Sequence, residues 1–264
     1  MNTVLTISSL VAAGPVGNTA IVPALQSLGI EPVSIPTVVQ SNHPGHGSFH
    51  RLTVPPEIIT AMIGDLEANG LLKDIRIVVT GYFGNAAQVH ATASAIGRLR
   101  ASHPGLYYLC DPVIGDDDTG FYVAPETAAA VRDHLVPLAD GMTPNAFELG
   151  WLTGLPVRDA AAAAAAALNF PGKDVFATSI PAGPGKLSTG WFRGGASHLD
   201  ERTRFERVPN GTGDVLAALI AGWLSKGSTP AEALDRASGT LDRIIAASAG
   251  TPSLQLANIP RAGH

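Results

Sequence analysis

Short apolar runs alternate along this chain with longer amphipathic or Ala-rich stretches, and that alternation predicts its elements. Apolar, often β-branched runs at 4–9, 33–39, 75–80, 106–110, 141–142 and 175–179 read as strands. Helical patterns lie between them at 16–28, 55–69, 86–101, 125–136, 144–152 and 160–167. Gly29 stops the first helix, and prolines stand in the first turn of the second. Asp159 caps the alanine run 160–167, a strong local helix former. A more polar, twisted strand pair is predicted at 187–192 and 199–208, then two closing helices at 211–225 and 230–249. Strands alternating with helices imply βαβ crossovers. These strands are continuous apolar runs, as in a parallel sheet covered on both faces. The predicted fold is α/β, with three layers (α/β/α) around a mostly parallel central sheet. No linker, repeat or charge run divides the chain, so 1–264 reads as one domain, with 250–264 a loosely held tail.

Charge is scarce. Lys and Arg number 17 and Asp and Glu 22 among 264 residues, a net charge of −5. Charged residues make up 15%, against about 25% in an average soluble domain. The 45% hydrophobic content excludes a disordered chain, and no run reaches the roughly 18 apolar residues needed to cross a bilayer. A mildly acidic chain is not held to nucleic acid by general electrostatics. One cysteine cannot form an internal disulfide, which suits a reducing cytoplasm. The apolar N-terminus has no Lys or Arg before Arg51, so it lacks the basic region of a secretory signal and reads as a buried strand before a Gly loop.

Ligands of open parallel sheets bind beyond the carboxyl ends of the strands, here just after Ser9, Val39, Thr80, Cys110, Met142 and Ser179. The sharpest motif is Asn210-Gly211-Thr212-Gly213-Asp214 at a helix start. Two glycines there let backbone N–H groups converge into an anion site. A carboxylate at that spot suits a base beside developing negative charge, while a plain Gly turn capped by Asp214 is the competing reading. Asp111-Pro112-Val113-Ile114-Gly115-Asp116 follows an apolar strand; its two carboxylates suit Mg²⁺ held through water, or simply a solvated loop. In Thr143-Pro144-Asn145 with Glu148, Asn145 and Glu148 are i, i+3 neighbours, fit for a metal's hydration shell or for helix capping. The loop from Gln40 to His46 is read as a substrate cover; Pro44 and Gly45 break any helix that would align its histidines on a metal. Gly183-Pro184-Gly185-Lys186 fails as a phosphate loop, since Leu187 stands where Ser or Thr is needed.

Taken in order, Ser-x-x-x-x-Gly-x-x-Gly-Asn, Ser-Asn-His, Gly-Tyr, Asp-Pro-Val-x-Gly-Asp, Thr-Pro-Asn-x-Phe-Glu, Thr-Ser and Gly-Thr-Gly-Asp make a chain that resembles the pyridoxal kinases of the ribokinase-like superfamily, from about residue 4 to 249. The resemblance implies ATP-dependent phosphorylation of the 5′-hydroxymethyl group of pyridoxal, with Mg²⁺, a monovalent cation (K⁺ or Na⁺) and a homodimer. It implies Asp214 as catalytic base and Gly211, Thr212 and Gly213 as the anion hole. It places Asp111 and Glu148 at the phosphates and Mg²⁺, Asp116 and Thr143 near the monovalent cation, Thr178 and Ser179 on ATP phosphates, and Val208 on the adenine side. Ser9, Tyr82 and the loop His43-Pro44-Gly45 would surround the acceptor ring. The chain departs from the family on the acceptor side: Leu10 for His, Gln40 for Phe, Pro44 for Thr, His46 for Tyr, and His50-Arg51 where Gly is common. A kinase for another hydroxymethyl heterocycle, such as hydroxymethylpyrimidine, and a vitamer-binding protein with little turnover are the alternatives.

Overall fold

The computed structural model describes residues 3–205 and 208–259. In chain order the elements are β1 (Thr3–Ala13), α1 (Asn18–Ser27), β2 (Glu31–Asn42), β3 (Arg51–Thr53), α2 (Pro56–Ala68), β4 (Ile75–Thr80), α3 (Ala86–Ser102), β5 (Tyr107–Cys110), β6 (Gly115–Asp116), β7 (Gly120–Phe121), α4 (Pro125–Ala130), β8 (Gly141–Met142), α5 (Ala146–Thr153), α6 (Ala160–Ala167), β9 (Asp174–Pro181), β10 (Lys186–Arg193), β11 (Ala196–Thr203), α7 (Thr212–Ser225) and α8 (Pro230–Ala247). The main sheet runs β11-β10-β9-β8-β5-β4-β1-β2-β3. Its centre, from β9 to β2, is parallel, and antiparallel strands close both edges.

Alternation of side chains splits each central strand between two cores. Val4, Ile77, Val79, Leu109 and Phe176 point toward α1, α7 and α8, where Ile21, Leu25, Leu219 and Leu234 meet them. Their neighbours Leu5, Val78, Tyr108, Cys110 and Val175 point the other way, toward Ile59, Val89, Ile96, Leu149 and Ala163. Both faces are covered, which is why these strands carry apolar residues at consecutive positions rather than at alternate ones. The expected three-layer α/β/α fold is the one observed.

Several details differ from the sequence reading. The helix expected over 125–136 is α-helical only to Ala130; a π-helical turn, Val131–Leu135, and a 3₁₀ turn, Val136–Leu138, follow. Pro137 has no N–H to donate, and its ring crowds the carbonyl four residues back, so the regular ladder stops ahead of it. The second strand of the polar pair begins earlier, at Ala196, because Gly194 and Gly195, both at positive φ, turn the hairpin in two residues. Residues 206 and 207, inside the predicted 199–208 strand, lie outside the described residues. Of the segment expected to be loosely held, Leu254 and Ile259 are buried against the α1–α7–α8 core, and residues 260–264 lie outside the described residues.

Candidate active site

The carboxyl ends of the parallel strands form one row. The N–H of Gly81 donates to Ile7 O (3.0 Å), that of Asp111 to Thr80 O (2.9 Å), that of Thr143 to Cys110 O (3.0 Å) and that of Thr178 to Pro144 O (2.9 Å). Gly81, Asp111 and Thr143, each just past a strand, and Thr178 within β9 are thereby fixed against their neighbours, and the predicted residues Tyr82, Asp111, Thr143 and Thr178 share one rim. Thr178 and Ser179 are two residues opposite the single Thr189, a bulge in β9, and Ser179 sits at φ 54. A non-glycine residue in the left-handed region at a bulge marks a place where the backbone is bent for a purpose other than pairing.

Asp214 lies in the first turn of α7. Gly211 precedes the helix at φ 98, and a Cβ there would stand 2.0 Å from the Pro15 carbonyl oxygen, so only glycine fits. No side chain caps this helix. The first-turn amides of Thr212, Gly213 and Asp214 have no partner within a helix, which leaves them for an anion. Asp214 is therefore not the cap. Its carboxylate accepts from the Gly17 N–H, and burial pushes it up to about 6. Gly17 is equally constrained, since a Cβ there would meet Ser9 Oγ at 2.1 Å. Gly81 approaches from the third side: a Cβ on it would meet Ser8 Oγ at 2.6 Å and Asp214 Oδ1 at 3.9 Å. The backbones of Gly17 and Gly81 thus lie beside this carboxylate.

Near it stand two buried acids. Asp111 is 8% exposed, which removes the solvated-loop reading for that residue. It accepts from Thr143 Oγ1 at 2.9 Å, and burial, then the charges of Glu148 and Asp214, hold its carboxyl well above the ordinary range. Glu148 closes a capping box with Asn145: Asn145 Oδ1 accepts the Glu148 N–H (2.9 Å), and Glu148 Oε2 accepts the Asn145 N–H (2.9 Å). Its other oxygen accepts the N–H of Ile114 (2.7 Å) and Gly115 (3.4 Å). Burial still raises it to about 7. Asp116 lies on β6 and accepts from Thr119 N (2.5 Å) and the Tyr122 hydroxyl. Among the described residues no three His, Cys, Asp or Glu side chains converge as a cation cage, so Asp111, Asp116 and Glu148 are not brought together as a closed ligand set. None of Asp111, Glu148 and Asp214 has a Lys or Arg partner among the described residues. Val208 is exposed.

The acceptor side is built differently. Asn18 Nδ2 donates to Ser8 O and Ile35 O (both 3.0 Å), and its Oδ1 accepts from Thr6 Oγ1 (2.8 Å), which pins β1 to β2 where their register shifts past Ser8. Ser9 is buried beside that shift. Tyr82 is held by its backbone, its N–H donating to Ser8 Oγ (3.2 Å) and its O accepting from Thr37 Oγ1 (2.6 Å). Arg51 reaches the Tyr82 hydroxyl (3.0 Å) and Gln40 Oε1 (3.0 Å) while lying over the Phe49 and Tyr82 rings. Two of the unusual acceptor-side residues, Gln40 and Arg51, therefore bind each other. The loop His43-Pro44-Gly45 forms a 3₁₀ turn that meets Asn210. Sequence reasoning quoted Asn18 and Asn210 within motifs without giving them work. The available signal was an amide beside a glycine, Asn18 directly after Gly17 and Asn210 directly before Gly211.

The chain matches the family described as phosphomethylpyrimidine kinase over residues 13–255. It is 41% identical to the pyridoxine/pyridoxal/pyridoxamine kinase of Bordetella bronchiseptica, over 89% of this chain and 85% of that one. Among solved structures, pyridoxal kinase from Entamoeba histolytica superposes with a TM-score of 0.90 at 31% identity, covering 98% of this chain and 94% of that one. Pyridoxal kinase from Leishmania donovani, solved with ADP and pyridoxamine, gives 0.89 at 30% identity with the same coverage. The chain belongs to the phosphomethylpyrimidine kinase family, among its pyridoxal kinases of ribokinase-like fold.

Proposed function

We propose that the protein transfers the γ-phosphoryl group of ATP to the 5′-hydroxymethyl group of pyridoxal, and of pyridoxine or pyridoxamine, in vitamin B6 salvage. The observation that carries this reading is the Asp214 carboxylate, crowded by Gly17 and Gly81 and set beside the uncapped amides of Gly211–Gly213. A base raised to about 6 is ionised at neutral pH yet basic enough to take a hydroxyl proton.

In the proposed reaction, Asp214 accepts the proton of the 5′-hydroxyl as its oxygen bonds to the γ-phosphorus. The bond from that phosphorus to the bridging oxygen breaks, and ADP leaves. Such transfers depend on alignment and charge neutralisation. The amides of Thr212 and Gly213, with the positive end of α7, stabilise the equatorial oxygens. Thr178, Ser179 and Val208 form the nucleotide side, and Ser9, His43, Pro44, Gly45 and Tyr82 surround the acceptor. The donor chemistry fits Mg²⁺: Asp111 and Glu148 are buried carboxylates without a cationic partner among the described residues, and Asp111 keeps an oxygen to spare. Bound there with the nucleotide, Mg²⁺ would neutralise phosphate charge. Asp116 and Thr143 are assigned to a monovalent cation on the resemblance.

The reading includes a cytoplasmic homodimer. Supporting the dimer, Leu10, Val39 and Leu52 are lateral neighbours across β1, β2 and β3, and all three are exposed. No helix among the described residues is long and apolar enough to cross a membrane.

Purified protein with Mg²⁺-ATP should phosphorylate pyridoxal in preference to hydroxymethylpyrimidine. Asp214→Asn should lose about 10³-fold in turnover while still binding nucleotide. Preferred turnover of hydroxymethylpyrimidine would move the acceptor assignment, and an Asp214→Asn enzyme of normal rate would sink the mechanism.

A further inference from the structure

Asn210 and His43 are 167 residues apart in sequence, and Asn210 Nδ2 lies 3.2 Å from His43 Nδ1. The same ring nitrogen accepts the Gly45 N–H at 3.1 Å, which makes His43 the cap of the 3₁₀ turn Pro44–His46. Two N–H donors converge on Nδ1, so that atom carries the lone pair and the ring proton sits on Nε2. At the base of the loop, Asn42 Nδ2 donates to His43 O (3.2 Å) and Ser48 O (3.3 Å). The loop is thus tied internally by Asn42 and His43, and tied across to the other half of the chain through Asn210. On the far side of the bond, Asn210 directly precedes Gly211, whose backbone lies so close to Pro15 O that a Cβ would not fit. The anchor adjoins this closely packed turn, whereas most of the loop it holds is exposed.

We propose that Asn210 is a positioning residue: it latches the acceptor loop, through His43, onto the start of the anion hole. The latch sets where the acceptor hydroxyl stops relative to Asp214, so a loop that cannot close leaves the phosphoryl site intact but poorly supplied. The inference rests on the phosphoryl-transfer reading for its kinetic consequence, while the loop's attachment to Asn210 can be measured without any turnover.

The test is Asn210→Ala in the full-length protein. Backbone hydrogen exchange over residues 41–50 should accelerate several-fold, with no change in the first turns of α7. In the same variant the KM for the acceptor should rise three- to tenfold, the range one net hydrogen bond commands, while the KM for ATP and kcat stay within twofold. The double variant Asn210→Ala with His43→Ala should show no greater rise in acceptor KM than His43→Ala alone, because the bond is already lost. Unchanged exchange over 41–50 would overturn the latch whatever the enzyme's substrate is. Accelerated exchange with equal effects on both KM values would overturn its role in placing the acceptor. Failure of the wild-type protein to phosphorylate any vitamer would instead count against the function and leave the exchange result standing.

Discussion

The parallel strands β5, β8 and β9 carry buried acids at both ends, and the two ends treat them oppositely. At the amino ends, Asp174 is almost fully buried and accepts from Trp191 Nε1 (2.8 Å), the Tyr107 hydroxyl (2.9 Å) and Arg193 Nη1 (3.2 Å to each oxygen). Beside it, Asp140 takes Arg100 and the Tyr108 N–H, and the Lys173 ammonium caps the Pro137 and Ala139 carbonyls. At the carboxyl ends, Asp111, Glu148 and Asp214 have hydroxyl and amide donors only, and burial holds all three above their ordinary range. Removing one partner of a buried, paired charge strands the others, whereas a charge left without a counter-charge itself costs stability and marks a candidate functional site. Burial alone does not separate the two classes. The partner list does.

Three substitutions probe that contrast, in falling order of expected effect. Asp174→Ala strands a buried indole N–H and a phenol, and should cost about 3 kcal/mol, seen as a fall in Tm of roughly 6–12 °C, with acceptor KM unchanged in the folded enzyme. A stable Asp174→Ala would erase the distinction between the ends. Asp214→Asn should do the reverse. This carboxyl has a folded value near 6, above its unfolded value, so the folded state bears the full cost of the charge above pH 6 and sheds it as pH falls toward 4. The variant should therefore gain about 1–2 kcal/mol over the wild type at pH 8 and almost nothing at pH 4, measured by urea unfolding. A pH-independent difference would refute the idea that the charge is held at a cost. Arg193→Met should cost least, about 0.5 kcal/mol, because half of the Arg193 side chain faces solvent and Asp174 keeps its two other donors. A loss as large as that of Asp174→Ala would mean that the ion pair, rather than the neutral donors, secures that end.

Much of the fold was legible because its signals are local. Continuous apolar strands and a capped alanine helix need no distant information, and Ile75–Thr80 and Ala160–Ala167 fall where the pattern puts them. The short β3 was not legible: Arg51–Thr53 is exposed and becomes a strand only by pairing with β2. The small hairpin of β6 and β7 likewise exists through Gly115 and Gly120, where two backbones meet more closely than a Cβ would allow. In the site, Asp214 and its glycines were readable because their steric demands appear as residue types. The division of labour in Asn145 and Glu148 was not, since capping and metal hydration ask for the same side chains at the same spacing. Arg51 and Asn210 act on residues 31 and 167 positions away, and no window along the chain joins them.

The unpaired acids have one more consequence, in proton traffic. Burial raises Glu148 to about 7 and Asp214 to about 6, so both carboxyls keep their protons to higher pH than exposed acids do. Under the proposed function, a cation taken up beside them would displace protons. The heat of its binding would then depend on how strongly the surrounding buffer takes up protons, and slight acidification would weaken its hold even where every residue stays in place.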